Sequence, residues 1–370
     1  TCQWLPGVNM EKGGLKSIKL SNIFDMKRKA RILLSILALF FISTYISCTE
    51  HQSFAQQDPL SELFRKKKVT IVVTDSGLGG LSILMDLLRK LKVSRAFQSV
   101  KLIFVNALFS NEGGYNSLNT REEKILVFDS ALHSMEKRYR PDLIMIGCNT
   151  LSVLYKDTSF VSQTQTPVLD IVGYGVELIS GNLKSRPDAK VVIMGTQTTI
   201  EEGTYKSILI DMGFLPDRII TQACPELVTY IEKGYDSDET EMLIFAYVDE
   251  VLQKIPRDKD SLLVSLNCTH YGYSASLWEK AFENLGVTPL AILNPNTRMS
   301  SLFETEEYFE HFKTTDIDVR VISMVDIPED RMDSIGRWLS RESPQVARAL
   351  SGYTKVPDLF EWRHLVKRDY

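Results

Sequence analysis

The chain has 370 residues, 44% hydrophobic and 24% charged, a balance that fits an ordinary globular protein and excludes a disordered one. Its formal net charge of −4, with no dense Lys/Arg stripe in the globular part, gives no electrostatic case for nucleic acid as a partner. The five cysteines, Cys2, Cys48, Cys148, Cys224 and Cys268, are odd in number and widely spaced, which argues against a disulfide framework and against paired CxxC zinc units.

Met26 reads as the translation start, with residues 1–25 upstream of it. It opens the basic run Met26-Lys27-Arg28-Lys29-Ala30-Arg31, followed by an apolar run over residues 32–46. At 15 residues that run is short of the ~20 a membrane-crossing helix needs, and it fits the apolar region of a signal peptide. Ser47-Cys48-Thr49 follows, so the 26–47 segment resembles a bacterial lipoprotein signal with Cys48 the lipidated residue, although Tyr45 stands where Leu is usual. The alternative is an uncleaved N-terminal anchor. Either way the expectation is an exported chain, tethered to the membrane on the periplasmic or cell-surface side; without the signal it would be cytoplasmic. Residues 48–66 are polar and mixed and read as a tether.

From residue 69 strands alternate with helices, which predicts an α/β protein with parallel-type sheets. Residues 69–74 form an apolar strand ending at Asp75-Ser76-Gly77-Leu78-Gly79-Gly80, and residues 81–91 a helix. A strand at 101–105 leads into a long loop, 106–119, that holds Gly113-Gly114-Tyr115-Asn116. Thr120-Arg121-Glu122-Glu123 is a capping box, with Ile125, Phe128, Leu132 and Met135 along one face of the helix behind it. The run 143–148 is too short and too apolar for anything but a buried strand, and it ends at Gly147-Cys148-Asn149-Thr150. Residues 167–172 make a fourth strand and 190–195 another, ending in Thr196-Gln197-Thr198-Thr199, a hydroxyl cluster fit to cap a helix or face a ligand. A short helix after Cys224-Pro225-Glu226 carries Glu232, and a longer one spans 238–254. The strand 261–268 repeats the earlier device, ending in Cys268-Thr269-His270. The remaining expectations are a strand at 290–293, a helix from Ser300, a strand at 319–324 and a helix through Trp338; residues 341–370 show no period.

Ligands of open α/β sheets sit at the carboxyl ends of strands, so the two cysteine-bearing strand ends predict two half-sites facing one another. The glycine loop at 75–80 lacks both the third glycine of a dinucleotide fingerprint and the lysine of a phosphate loop. Asp75 beside free backbone N–H groups suits an ammonium and a carboxylate together, that is, an amino acid. Cys148 at a helix start is expected to have a lowered thiol pKa, and strand geometry carried through residue 270 would point Cys268 and His270 the same way. Cys224, beside Pro225, reads as a buried apolar residue. Two thiols in separate halves match what racemisation requires: a base on one face of Cα, an acid on the other, and an exchange of states at every turnover.

The segments Asp75-Ser76-Gly77-Leu78-Gly79-Gly80-Leu81, Gly147-Cys148-Asn149-Thr150 and Cys268-Thr269-His270-Tyr271 resemble the signature segments of the cofactor-independent aspartate/glutamate racemases, the glutamate racemases above all. Gly195-Thr196-Gln197-Thr198-Thr199-Ile200 and Ala223-Cys224-Pro225-Glu226-Leu227-Val228 extend the resemblance, which runs from about residue 69 to about residue 339. It implies two similar α/β domains with the active site in the cleft between them. The first would be residues 67–172 completed by 291–340, the second 173–290, with 341–370 unassigned. It implies catalysis by Cys148 and Cys268, assisted by Asp75 and by His270 with Glu232 behind it. Ser76, Asn149, Thr150 and Thr269 would bind the amino acid, with Tyr115, Thr196 and Thr199 completing the pocket. No pyridoxal phosphate and no metal are implied, and a homodimer is left open.

The pattern departs from the family at Gly114-Tyr115-Asn116, where Pro-Tyr-Gly is usual, at Asn106, where an acid is common, and at Gly272, where Pro follows the Cys-Thr-His-Tyr run. These changes leave the substrate side chain open. Glutamate or aspartate is the first expectation; a related isomerase or decarboxylase, or an exported amino-acid sensor on the same scaffold, is the alternative. The compartment is a second departure, since the family supplies D-glutamate for the cell wall from the cytoplasm.

Overall fold

A computed structural model describes residues 59–255, 261–305 and 308–367. The signal peptide, the Cys48 site and residues 48–58 of the expected tether lie outside the described residues. The end of that tether differs from expectation. Pro59–Arg65 is a helix that buries Leu63 and Phe64, and Phe64 stacks on Tyr308 with ring centroids 3.7 Å apart. Two large apolar side chains in seven residues make this segment part of the core.

Among the described residues, ten strands form two all-parallel sheets. In chain order they are β1 (Lys68–Asp75), β2 (Ser99–Asn106), β3 (Leu143–Ile146), β4 (Val168–Asp170), β5 (Lys190–Gly195), β6 (Ile219–Ala223), β7 (Leu262–Asn267), β8 (Ala291–Leu293), β9 (Asp316–Ser323) and β10 (Thr354–Lys355). The first sheet runs β10-β9-β2-β1-β3-β4 and the second β6-β5-β7-β8. Helices cover both faces, so the central strands are apolar at nearly every position. Along β1, Ile71 and Val73 face one side and Val72 the other, all without exposed surface. Each such side chain is stabilising by about 2 kcal/mol on burial.

The topology defines where a ligand goes. β1 lies between β2 and β3, and β5 lies between β6 and β7, so in each sheet the chain reverses its winding direction at that central strand. Crevices form at such switch points, beyond the carboxyl ends of the strands. The register makes those ends level: Thr74 pairs with Ile146 and Gly195 with Asn267. Asp75, Cys148, Thr196 and Cys268 therefore emerge from the ends of β1, β3, β5 and β7. One hydrophobic cluster holds residues of both sheets, including Val73 and Met145 of the first with Val264 and Leu266 of the second.

Four further differences concern connectivity. β6 was not expected; its Ile-Ile-Thr-Gln-Ala pattern is half-buried at a sheet edge and gives a weak signal. β8 belongs to the second sheet, paired with β7, rather than to the completion of the first domain. The first sheet is instead completed by β9 and by β10, so the unassigned tail supplies a strand and the helix Pro344–Ser351, capped by Ser343. In place of a helix from Ser300 there are only Asn296–Met299 and a 3-10 turn, Ser301–Glu304. The capping box at Thr120 is present in both directions.

Candidate active site

The loop after β1 makes the first wall. Ser76 Oγ lies 3.1 Å from the Cys148 Sγ, while Asp75 acts on this thiol through its charge. Cys148 ends the β3 segment in an extended conformation (φ −69°, ψ 123°), and Asn149–Tyr155 begins as a helix immediately behind it. Asp75 faces the other half: its Oδ2 accepts from Thr269 Oγ1 at 2.7 Å and its Oδ1 from the Gly77 N–H at 3.2 Å. The Leu78 N–H donates to Glu232 Oε1 at 2.9 Å. Two of the loop's N–H groups are thus used within the protein, and the expectation that they await a carboxylate does not hold at Gly77 and Leu78.

The glycines of this loop serve close packing. A Cβ on Gly77 would meet Glu232 Oε1 at 2.9 Å and His270 Cε1 at 3.1 Å. A Cβ on Gly79 would meet Thr269 Oγ1, His270 Nδ1 at 2.6 Å and the His270 backbone N at 2.8 Å. The first half therefore lies directly on the Thr269-His270 turn of the second.

On that second half β7 ends at Asn267, so Cys268 and His270 are joined by a turn and not by the extended strand expected; the Tyr271 N–H closes the turn onto the Cys268 carbonyl at 3.1 Å. The pair still meets, with Cys268 Sγ 3.8 Å from His270 Nδ1. His270 Nε2 lies 2.8 Å from Glu232 Oε1, and Glu232 Oε2 accepts from Arg331 Nη1 at 3.0 Å. Thr150, Thr196 and Thr199 form a hydroxyl chain, 2.8 Å from Thr150 to Thr196 and 2.9 Å from Thr196 to Thr199, that bridges the two sheets. Asn149 Oδ1 accepts from the Tyr205 hydroxyl at 2.6 Å, while its Nδ2 is buried with no partner among the described residues. Tyr115 is buried edge-on to Phe109 and Phe128, its hydroxyl likewise unpartnered and in electrostatic reach of Cys148.

The cleft is closed: both thiols are 4% exposed. Burial, reinforced by the Asp75 carboxylate, pushes Cys148 up to about 12 and outweighs the Ser76 hydrogen bond. The expected lowering at the helix start is overturned, because one short helix cannot offset complete desolvation beside an acid. Burial also pushes Cys268 well up, against a hydrogen bond from the His270 N–H, with Asp75 and Cys148 adding to the rise. Asp75 is raised, chiefly by burial and in spite of His270. Burial pushes Glu232 up as well, but the hydrogen bond and charge of His270, the Leu78 N–H and Arg331 bring it below the ordinary range. Cys224 is buried in the core near Tyr271, with its thiol likewise pushed up by burial. An open cavity of about 490 Å³, bordered by Met85, Gly272 and Trp338, contains neither of the thiols Cys148 and Cys268 and does not define this site.

The fold thus gathers Asp75, Ser76, Cys148, Thr269, Cys268, His270 and Glu232 into one connected cluster, with Thr150, Thr196 and Thr199 linked beside it. Sequence reading missed Tyr205 and Arg331, which reach Asn149 and Glu232 from helices 56 and 99 residues away in the chain. No local pattern marks either.

No protein-family model matches the chain. Among curated proteins it is similar to the glutamate racemase of Persephonella marina, 24% identical over 220 residues, covering 59% of this chain and 77% of that one. It is also similar to glutamate racemase 3 of Caldanaerobacter subterraneus, 26% identical over 238 residues, covering 64% and 78%. Among solved structures, a glutamate racemase isoform from Bacillus anthracis superposes with a TM-score of 0.58 at 20% identity, covering 74% of this chain and 95% of that one. The glutamate racemase of Francisella tularensis, solved in complex with D-glutamate, gives 0.57 at 22% identity, covering 74% and 94%.

Proposed function

From its similarity to glutamate racemases and the fold it shares with them, we propose that the chain is a cofactor-independent amino-acid racemase that moves a proton at Cα with two thiols, Cys148 and Cys268. The observation that carries the reading is that the two buried thiols stand beyond the ends of β3 and β7, each with its own polar partner: Ser76 for Cys148 and His270 for Cys268. In the reaction one thiolate takes the α-proton and becomes a thiol, while the opposite thiol gives its proton to the other face of Cα and becomes a thiolate. The states of the two cysteines are exchanged, and no redox change or leaving group is involved.

Burial in the closed cleft and the Asp75 charge raise both thiols and so favour their neutral forms. The substrate's own ammonium supplies the missing positive charge: entering beside Asp75 and a cysteine, it favours the thiolate. Thr150, Thr196 and Thr199 offer hydroxyls for the α-carboxylate, and the unpartnered Asn149 Nδ2 and Tyr115 hydroxyl offer two further donors. Glutamate, aspartate or a related polar amino acid is the substrate class. With Asn116 spending its amide oxygen on the Thr198 N–H at 3.3 Å, the loop that departs from the family pattern is tied to the second half of the site. We expect aspartate or another polar amino acid to compete with glutamate. Single amino acids incubated with the protein in D₂O, followed by mass spectrometry and chiral chromatography, test this. Turnover of glutamate alone would sink the broader specificity, and no turnover of any amino acid would sink the racemase reading.

We also propose that the protein is exported and held by lipid at Cys48, a reading supported by the basic and apolar run from Met26 to Cys48. Cys48→Ser is expected to release the protein from membranes or to block its maturation. An intact N-terminus from Met26 on a soluble cytoplasmic protein would contradict export.

A further inference from the structure

Glu232 is gripped from three sides. Its Oε1 meets His270 Nε2 at 2.8 Å and the Leu78 N–H at 2.9 Å; its Oε2 accepts from Arg331 Nη1 at 3.0 Å. Arg331 lies on the helix Glu329–Glu342, which follows β9 and so belongs to the first-sheet side of the chain. Spaced as one helical face, Arg331, Ser334, Ile335 and Trp338 meet the second half. Ser334 Oγ accepts from the Tyr235 N–H at 3.3 Å, and Trp338 packs edge-on to Tyr273 with centroids 4.8 Å apart. The guanidinium is three-quarters buried, and its Nε has no partner among the described residues, so the side chain is committed to Glu232 at a desolvation cost that surface ion pairs do not carry.

We propose that Arg331 is a positioning residue for the Cys268 side of the reaction, holding Glu232 so that its other oxygen fixes His270 with Nδ1 toward the Cys268 thiol. An ionised Glu232 can only accept at Oε1, which keeps a proton on the imidazole Nε2; in the neutral ring that leaves the Nδ1 lone pair, 3.8 Å from Sγ, to take the thiol's proton. A protonated Glu232 would donate in place of accepting and reverse that order. The groups facing the Glu232–His270 pair are Arg331 from the C-terminal helix, Asp75 from the end of β1, Tyr273 from the turn after His270, and the Cys268 thiol. Of these Arg331 alone carries a permanent positive charge. Removing it leaves a fully buried carboxylate next to Asp75, and the carboxylate becomes easier to protonate as pH falls.

This inference rests on the racemase reading for its rate measurements but not for its thiol chemistry, and the experiment uses both. In the full-length protein, kcat/KM is followed against pH for Arg331→Gln, Arg331→Met and Arg331→Lys. Iodoacetamide labelling of Cys268 and Cys148 is followed over the same range by mass spectrometry. Because the two enantiomers are equal in free energy, kcat/KM must change by the same factor in both directions, so one direction suffices for the profile. The Gln and Met variants are expected to lose about tenfold in kcat/KM at neutral pH, part of the 10²–10⁴ of a group that transfers the proton itself. Their acid limb should move to higher pH, Cys268 labelling should slow, Cys148 labelling should stay as in the unmodified protein, and Lys should restore the limb. Folded Gln or Met variants with an unmoved limb, or with both thiols slowed equally, would overturn the proposal. If neither folds, Arg331→Lys decides: a limb kept in place supports it, and a limb that moves with the charge retained overturns it. Failure of the racemase reading is distinguishable, because the unmodified protein would then show no turnover while the labelling of the two cysteines could still be compared.

Discussion

Cys148→Ala and Cys268→Ala are each expected to abolish inversion in both directions, while each keeps hydrogen exchange at Cα of one enantiomer. Inversion needs a base on one face and an acid on the other, and microscopic reversibility makes each thiol the base in one direction and the acid in the other. A single remaining thiol can still remove the proton it faces and return one from solvent to the same side. The two variants should therefore exchange opposite enantiomers. Serine at either position should do little better than alanine, a hydroxyl being a far weaker acid than a thiol. The partners differ, so the residual rates should differ: the thiol left in Cys148→Ala has the His270 imidazole at 3.8 Å to receive its proton, whereas the one left in Cys268→Ala has the far less basic Ser76 hydroxyl at 3.1 Å. Exchange by Cys268 alone should be the faster. Chiral chromatography with α-deuteration on both enantiomers reads all of this, and substantial inversion surviving in either alanine variant would contradict the two-base assignment.

The second large effect is expected at a residue with no side chain. Gly79→Ala should reduce kcat/KM more than a hundredfold, because the new methyl would sit against Thr269 Oγ1, 2.6 Å from His270 Nδ1 and 2.8 Å from the His270 backbone. The backbone atom cannot rotate aside, so the turn must retreat. That retreat separates Thr269 from Asp75 and shifts His270 relative to Cys268, and losing a general acid–base group costs on the order of 10²–10⁴ in rate. Gly181→Ala is the control. It lies on an open helix face with nothing within 4 Å of its Cβ, and it should leave activity unchanged while stabilising the helix by roughly 0.5–1 kcal/mol. Thermal melting and kcat/KM on both variants separate the outcomes. Gly79→Ala with ordinary activity would show that the two halves do not close as described.

These glycines also show how far the sequence could be read. That Asp75-Ser76-Gly77-Leu78-Gly79-Gly80 follows a strand and opens a helix was legible from local pattern, as were the two cysteine-bearing strand ends, since short apolar runs have few alternatives in an α/β chain. What the glycines pack against was not legible: their partners, Glu232 and His270, lie more than 150 residues further along. The thiol chemistry at Cys148 failed for a related reason. A helix start can be read from Asn149-Thr150, but desolvation comes from the whole closed cleft, and it raised the thiol instead of lowering it. β6 was missed because an edge strand is only half-buried and lacks the continuous apolar run of β3 or β7. The C-terminal residues gave no period because they are short pieces, a helix of eight residues and a strand of two, each completing an element made elsewhere. Arg331 is the extreme case: one cation on an amphipathic helix, identical in sequence to any solvated charge until Glu232 is placed beside it.

The most direct test of the central claim is the position of the label in the first molecules turned over. The unmodified protein is given L-glutamate and, separately, D-glutamate in D₂O, and reaction is stopped at low conversion. Two thiols on opposite faces predict a product that carries deuterium at Cα from its first appearance, while the unreacted enantiomer remains unlabelled. Product that retains the substrate's own hydrogen, or unreacted enantiomer that gains deuterium faster than product forms, would mean that one base serves both faces and would contradict the assignment of Cys148 and Cys268 as a pair.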